Sequence, residues 1–291
     1  MADASSTGDQ SAQSRRPEPI GVVQHFDRPG LTVLDAWSWR QLILRLARAE
    51  LTREHARLAF GSLWWVLDAL LYLGVYTVLV TVILQRGGPD YPLFIFGPLL
   101  AWKWFSLTLG SACNAVVGNE RIVRQLAFPR VTLPLARVLV QWWRYLGGVV
   151  VLIAGMVVIW PDRLSPALLW LPVLMLAQVV FMVPLAIAGA AITVFFRDAA
   201  TLTRHLLRIG LYLSPVLYSL DQALDQLPEP VATIYQLNPI AVLMEGYRAV
   251  TYSAESPMLQ SILLPLGVGL VLTVPASMLF THLQPRFTKH L

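Results

Sequence analysis

Apolar residues along this chain come in long runs broken by short polar clusters, and the lengths of the runs decide the architecture. Six runs stand out, at about Leu63–Leu84, Tyr91–Val117, Leu135–Trp160, Ala167–Phe196, Leu206–Leu220 and Met258–Leu279. A helix rises about 1.5 Å per residue, so about 20 residues cross the roughly 30 Å of hydrocarbon in a bilayer. The pattern therefore predicts an all-α integral membrane protein with six transmembrane helices, the fifth of them short. Between the fifth and sixth runs, Asp221 to about Pro257 holds apolar stretches too brief to cross. They read as short re-entrant or interfacial external helices before the last span.

Ahead of the first run the period changes to that of an amphipathic helix. Ile43, Ala47, Leu51 and Leu58 fall on one face, with Arg45, Arg48 and Thr52 roughly opposite. Within 31–60 this predicts an N-terminal helix lying on the membrane surface, its arginines toward the headgroups of membrane lipids. A simple positively charged flank to the first span is the other reading. Residues 1–30 are polar and proline-containing, without the apolar content to build a core, and read as a disordered tail. That leaves 61–281 as the membrane domain and 282–291 as a short tail.

Composition agrees with the runs. Apolar residues make up 56% of the chain and charged residues only 13%, with a mean hydropathy of +0.60. A soluble domain carries about a quarter charged residues, so that class is excluded. The net charge of +5 is spread between spans rather than gathered on one face, and no nucleic-acid partner is expected. Basic residues gather in the N-terminal flank, at Asn119–Arg137, at Arg197–Arg208 and in the tail, whereas the opposite loops hold Arg86, Arg163 and Arg248. Positive charge stays on the cytoplasmic side, so both termini are expected there. With one cysteine, Cys113, neither an internal disulfide nor a thiolate metal cluster can form. The phosphate-cradling Gly-x-x-x-x-Gly-Lys-Ser/Thr loop, His-Glu-x-x-His and Gly-x-Ser-x-Gly are all missing from the sequence, so neither catalysis nor a bound cofactor is expected of this chain.

Two stretches carry candidate function. Asn119–Arg137 holds Glu120, Arg121, Arg124, Arg130 and Arg137, too many charges for hydrocarbon, and Pro129 and Pro134 punctuate it. Proline removes a backbone donor and disfavours helix just before itself. Short helices joined by a bend are predicted, an elbow suited to contact with another protein; an ordinary positively charged loop is the alternative. The second stretch is Trp102-Lys103-Trp104-Phe105 in the second run. Lys103 either snorkels to the surface or lines a hydrated pathway, where neighbouring rings could stack on sugars. An interfacial belt explains many of the chain's ten tryptophans, though Trp102 and Trp104 lie deeper than a belt requires. Trp102 and Trp104 lie about 200° apart on a helix, so at most one of them faces such a pathway squarely.

The wording of the elbow resembles the ABC-2 family of ABC-transporter permeases, in the branch that exports O-antigen, capsule and teichoic acid. The matching residues are Asn119, Ile122-Val123, Arg124, Phe128-Pro129-Arg130 and Leu133-Pro134-Leu135. Gly61-Ser62-Leu63-Trp64, Arg197-Asp198, Ser214-Pro215-Val216-Leu217-Tyr218, Asn238-Pro239 and Glu245-Gly246-Tyr247-Arg248 follow in family order. Asp68 departs from the pattern, standing where the family often has proline. The resemblance implies a homodimer in a bacterial inner or plasma membrane with two copies of a separate ATPase subunit, which would bind ATP and Mg. It implies a lipid-linked polysaccharide as cargo. Arg121, Arg124, Phe128, Pro129, Arg130 and Pro134 would then couple to the ATPase, and Trp102 would be the pathway ring. Ser214, Pro215, Tyr218, Asn238, Pro239, Glu245 and Arg248 would form an external gate. A drug or lipid exporter of the same family, or a gradient-driven carrier, remains the alternative at this point; a carrier usually keeps ionisable residues near the midplane, which only Lys103 approaches here and no carboxylate does.

Overall fold

The computed structural model describes residues 38–55, 63–79, 90–126 and 128–291. The tail at 1–30, the Gly61-Ser62 pair, Leu58, the end of the first run beyond Leu79 and the Gln85–Pro89 turn lie outside them. The described residues are helical, with no strand among them. In chain order the helices are α1 (Arg40–His55), α2 (Leu63–Thr77), α3 (Tyr91–Cys113), α4 (Glu120–Gln125), α5 (Thr132–Ile159) and α6 (Leu171–Phe195). They continue as α7 (Asp198–Leu213), α8 (Leu220–Leu224), α9 (Glu229–Gln236), α10 (Pro239–Arg248), α11 (Gln260–Leu283) and α12 (Phe287–His290).

Four of the described helical segments are long and apolar enough to cross a bilayer: α3, α5, Pro166–Phe195 including α6, and Gln260–His290 including α11. The predicted fifth span differs, and the predicted first is described only as far as Leu79. α2 is described over 15 residues. α7 begins at Asp198 and stops at Leu213, so its helix takes in Arg204, His205 and Arg208, which the sequence pattern assigns to a loop. The physical reason is amphipathicity: those three side chains lie on the exposed surface of α7, while Leu207 is buried.

The core is a bundle in which α6 packs along α11 and α3 lies against both α5 and α6. At the α6–α11 crossing a side chain on Gly269 would meet the backbone of Val180 and Phe181 at 2.6–2.8 Å, so only glycine lets these helices approach so closely. Gln178 donates from Nε2 to the Ala101 carbonyl at 2.9 Å, tying α6 to α3 through a buried hydrogen bond. α7 runs antiparallel to α3. Thr203 lies beside Cys113, Gly210 lies against the Trp102 ring, and Leu217 accepts a hydrogen bond from the Tyr91 hydroxyl.

The bundle thus has two distinct ends. One carries the Val117–Val131 segment, α1 and the C-terminal tail, here called the elbow end. The other, the far end, carries the beginning of α3, the Ser214–Ser219 segment and α8 to α10.

Candidate functional site

At the elbow end the predicted bend is present. A 3-10 turn at Val117–Asn119 leads into α4, the chain extends at Leu126, and α5 begins at Thr132. The Asn119 amide donates to the Ala115 carbonyl at 2.8 Å, and the Thr132 hydroxyl donates to Pro129 O at 2.8 Å, so both sides of the bend are fixed locally. Pro134 sits in the first turn of α5, where its missing N–H costs nothing. Val123, Val131 and Leu133 bury into a cluster with Ile187 and Val194 of α6 and with Phe280 and Phe287 of the C-terminal region; Phe128 packs on its edge. Arg121, Arg124 and Leu126 face outward, Leu126 at 62% exposure. Arg124 pairs with Glu120 one turn earlier at 2.9 Å.

Two further segments brace the elbow, and the sequence pattern did not reveal either contact. Arg130 donates to the Gln284 carbonyl and lies 5.9 Å from the centre of the Phe287 ring. Partial burial pulls its pKa below the usual arginine value, though a guanidinium remains charged at any physiological pH. α1 packs across α5, with Ala47 buried, Arg45 and Arg48 exposed, and Glu50 paired to Arg137 at 2.5 Å. The amphipathic pattern read from the sequence is therefore the packing pattern of α1.

The far end is organised by Arg248. This guanidinium is 2% exposed, and both of its terminal nitrogens are bonded while Nε has no hydrogen-bond partner. It meets Glu245 at 2.5 Å, donates to the carbonyls of Pro215 and Val216 at 2.7 and 3.1 Å, and stacks 4.2 Å over Phe94. Glu245 in turn accepts from the Leu220 N–H at 3.1 Å. Asn238 caps α10 by accepting from Ile240 N–H at 3.0 Å, with Pro239 at the first helical position. Ser214 and Pro215 are buried, while Tyr218 donates to Tyr212 O at 3.1 Å and meets the Tyr235 hydroxyl at 3.0 Å. Of the gate residues named from the sequence, Pro215, Glu245 and Arg248 are joined in one network, while Asn238 and Pro239 cap α10 and Tyr218 bonds separately to Tyr212 and Tyr235. Phe94, Tyr91, Tyr235 and the Arg163–Asp90 pair at 2.7 Å belong to the same end and carried no sequence signal. Hydrogen bonding to Asp90 raises the Arg163 pKa above the usual value.

Midway between the ends, the four residues of the aromatic stretch separate into two kinds. Trp102, Trp104 and Phe105 are buried inside the bundle. Trp104 stacks on Tyr145 with centroids 4.3 Å apart and meets Trp142 edge-on, and Phe105 stacks on Phe181. Gly210 accommodates Trp102, since a side chain there would come within 2.9 Å of the ring. Lys103 points the other way. It pairs with Asp68 and lies 3.9 Å over the Tyr72 ring, with the Asp68 side chain about half exposed. The sequence pattern gave no sign of this pairing, which α2 makes by packing beside α3.

These features define a multi-pass helical membrane protein whose bundle presents a braced, charged elbow at one end and a buried polar network at the other. The chain matches the model of the ABC-2 type transporter family over residues 34–252 and belongs to that family. It is 29% identical to the O-antigen export system permease protein RfbA of Myxococcus xanthus over 88% of this chain and 98% of that protein. Two such permeases of Klebsiella pneumoniae are 26% and 24% identical over 85% of this chain and 94% of each relative.

Proposed function

We propose that this chain is the membrane half of an ABC exporter for a lipid-linked polysaccharide, acting as a homodimer with two copies of a separate ATPase subunit. The observation that carries this reading is the likeness to O-antigen export permeases over 85–88% of the chain, which leaves no large region unmatched. ATP and Mg belong to the partner. The elbow end faces the cytoplasm with both termini, and α2 and α7 complete six traverses, α7 through a short helix continued by the Ser214–Leu217 segment. α1 lies along the membrane interface.

The geometry supports a coupling route. Leu126, Arg121 and Arg124 offer an exposed apolar side chain and two cations to the ATPase, while Phe128, Pro129, Arg130 and Pro134 hold the bend that carries them. Because the elbow is continuous with α3 and α5 and braced by α1 and the tail, a push on it moves these helices together. Two-fold association then opens a seam for the polymer, with the Lys103–Asp68 pair of each copy on its wall and the far-end network as its outer gate.

Deletion of the gene in its host should abolish surface polysaccharide while lipid-linked glycan accumulates inside. Phe128→Ala and Arg130→Glu should each reduce export at unchanged membrane abundance. A deletion strain with normal surface polysaccharide would remove the glycan reading and favour a drug or lipid cargo; stoichiometric ATP binding by the purified chain would remove the separate ATPase.

A further inference from the structure

At the far end a cavity of about 1070 Å³ opens between the start of α3, the end of α7, α8 and α9. The cavity lies beside the Arg248 network, sharing the Phe94 ring with it, and no residue of the elbow lines it. Five of its thirteen lining residues are aromatic: Tyr91, Phe94, Tyr218, Tyr235 and Tyr252. The tyrosines are held before any ligand arrives, because Tyr91 and Tyr235 donate to the carbonyls of Leu217 and Leu213 at 2.8 Å, and Tyr218 to that of Tyr212. Burial raises the Tyr235 pKa further above the ordinary tyrosine value, so its hydroxyl stays protonated and donating. Ring positions are thus fixed while ring surface is left to line the space.

The polar groups are few and specific. Gln226 lines the cavity with its amide exposed, and Gln222 uses its amide oxygen to accept from Ser219 N–H, leaving the NH₂ as the group a ligand would meet. Asp90 reaches Arg163 through Oδ2, so the other carboxylate oxygen remains for a hydroxyl donor. An acyl chain needs neither amides nor a carboxylate. A phosphate would meet Asp90 and find the nearby Arg163 already neutralised. Sugars present apolar C–H faces alternating with hydroxyls, and they match fixed rings interleaved with amides. Pockets for small ligands span about 300–1,000 Å³, so this one has room for more than one sugar unit.

We propose that this cavity is a saccharide-binding vestibule, a site that holds a short segment of uncharged glycan as it leaves the protein; the proposal rests on the export reading above. Its rings are fixed in advance, so a bound segment is positioned with little loss of protein freedom. The moderate contacts such a wall makes allow the polymer to advance.

The test uses the complete transporter in its host with Ala223→Trp, which fills the cavity from α8, and with the milder Gln226→Ala. Pulse-labelled glycan reaching the surface and ATPase activity of the purified complex are followed together. Binding is measured with the delipidated polysaccharide released from the same host by mild acid. Ala223→Trp should bind this probe about tenfold more weakly and slow surface appearance, and Gln226→Ala should weaken binding by about threefold. Membrane abundance and ATPase activity should stay at wild-type levels. Wild-type binding and export in Gln226→Ala would overturn the vestibule even if Ala223→Trp fails to insert. Cross-linking that shows Ala223→Trp to separate the two copies would also overturn it, making the cavity an interface. If gene deletion leaves surface polysaccharide intact, the export reading fails instead, and the two failures are told apart.

Discussion

The two ends of the bundle use the same residue type in opposite ways. At the far end Arg248 is sealed in, with its charge matched by Glu245, two carbonyls and a ring. At the elbow Arg130 is half buried on one carbonyl, and Arg124 stands outside on a single exposed carboxylate. A buried cation needs its charge matched because desolvation costs several kcal/mol per ion, so its contacts are spent on holding the chain together. An exposed one costs little to place and keeps its charge for a partner. On the function proposed above, the difference separates an end built for fixed geometry from an end built for contact.

The sharpest way to break that contrast is Arg248→Met. The substitution fits the volume but strands Glu245 and leaves the Pro215 and Val216 carbonyls without their donor. Removing one partner of a buried pair costs about 3–5 kcal/mol. The solubilised protein should therefore unfold many degrees lower, and membrane abundance should fall. Arg248→Met with wild-type thermal stability would show that the far end is not held by this network.

Arg130→Met comes next. Here one charged hydrogen bond to Gln284 O and a distant ring contact are lost, a cost of about 1–2 kcal/mol. Phe287 remains buried, so the tail should stay docked while the bend loosens. Stability should drop modestly and export steeply, the reverse of the balance at Arg248. Parallel thermal unfolding and export assays read that balance directly; an export loss no greater than the loss of folded protein would make Arg130 a structural residue alone.

How much of this was legible beforehand follows from the range of each interaction. α3, α5, α6 and α11 could be placed from their apolar runs because hydropathy is a local property. α7 was misplaced because charges on one helical face look, in one dimension, like a loop. The elbow announced itself through Pro129 and Pro134, which act on their own neighbours. Its bracing by Gln284 and Phe287 did not, since those residues lie about 150 positions away. The Glu245–Arg248 pair was readable at helical spacing, whereas the Pro215 and Val216 carbonyls were not. Asp68 and Lys103 are 35 residues apart, and only helix packing joins them. The burial of Trp102 and Trp104 was equally hidden: depth along a helix can be counted from sequence, but which face meets a neighbour cannot.

The smallest expected effect sharpens the contrast from its exposed side. Glu120 and Arg124 form an i,i+4 pair on α4 with side chains 40% and 51% exposed. Solvent screens such a pair, and exposed helical pairs contribute about 0.3–0.5 kcal/mol. Glu120→Gln should therefore leave thermal stability within about 0.5 kcal/mol of wild type. Its informative readout is at the interface: the substitution releases Arg124 from its intramolecular carboxylate, so attachment of the ATPase subunit should hold or tighten slightly. Arg124→Gln removes the same pair but also the cation, and should weaken attachment at equal stability. Pull-down of the ATPase by the two variants, alongside their unfolding curves, separates the pair from the charge. Equal loss of attachment in both would mean that the Glu120–Arg124 pair itself, rather than the arginine, shapes the contact surface.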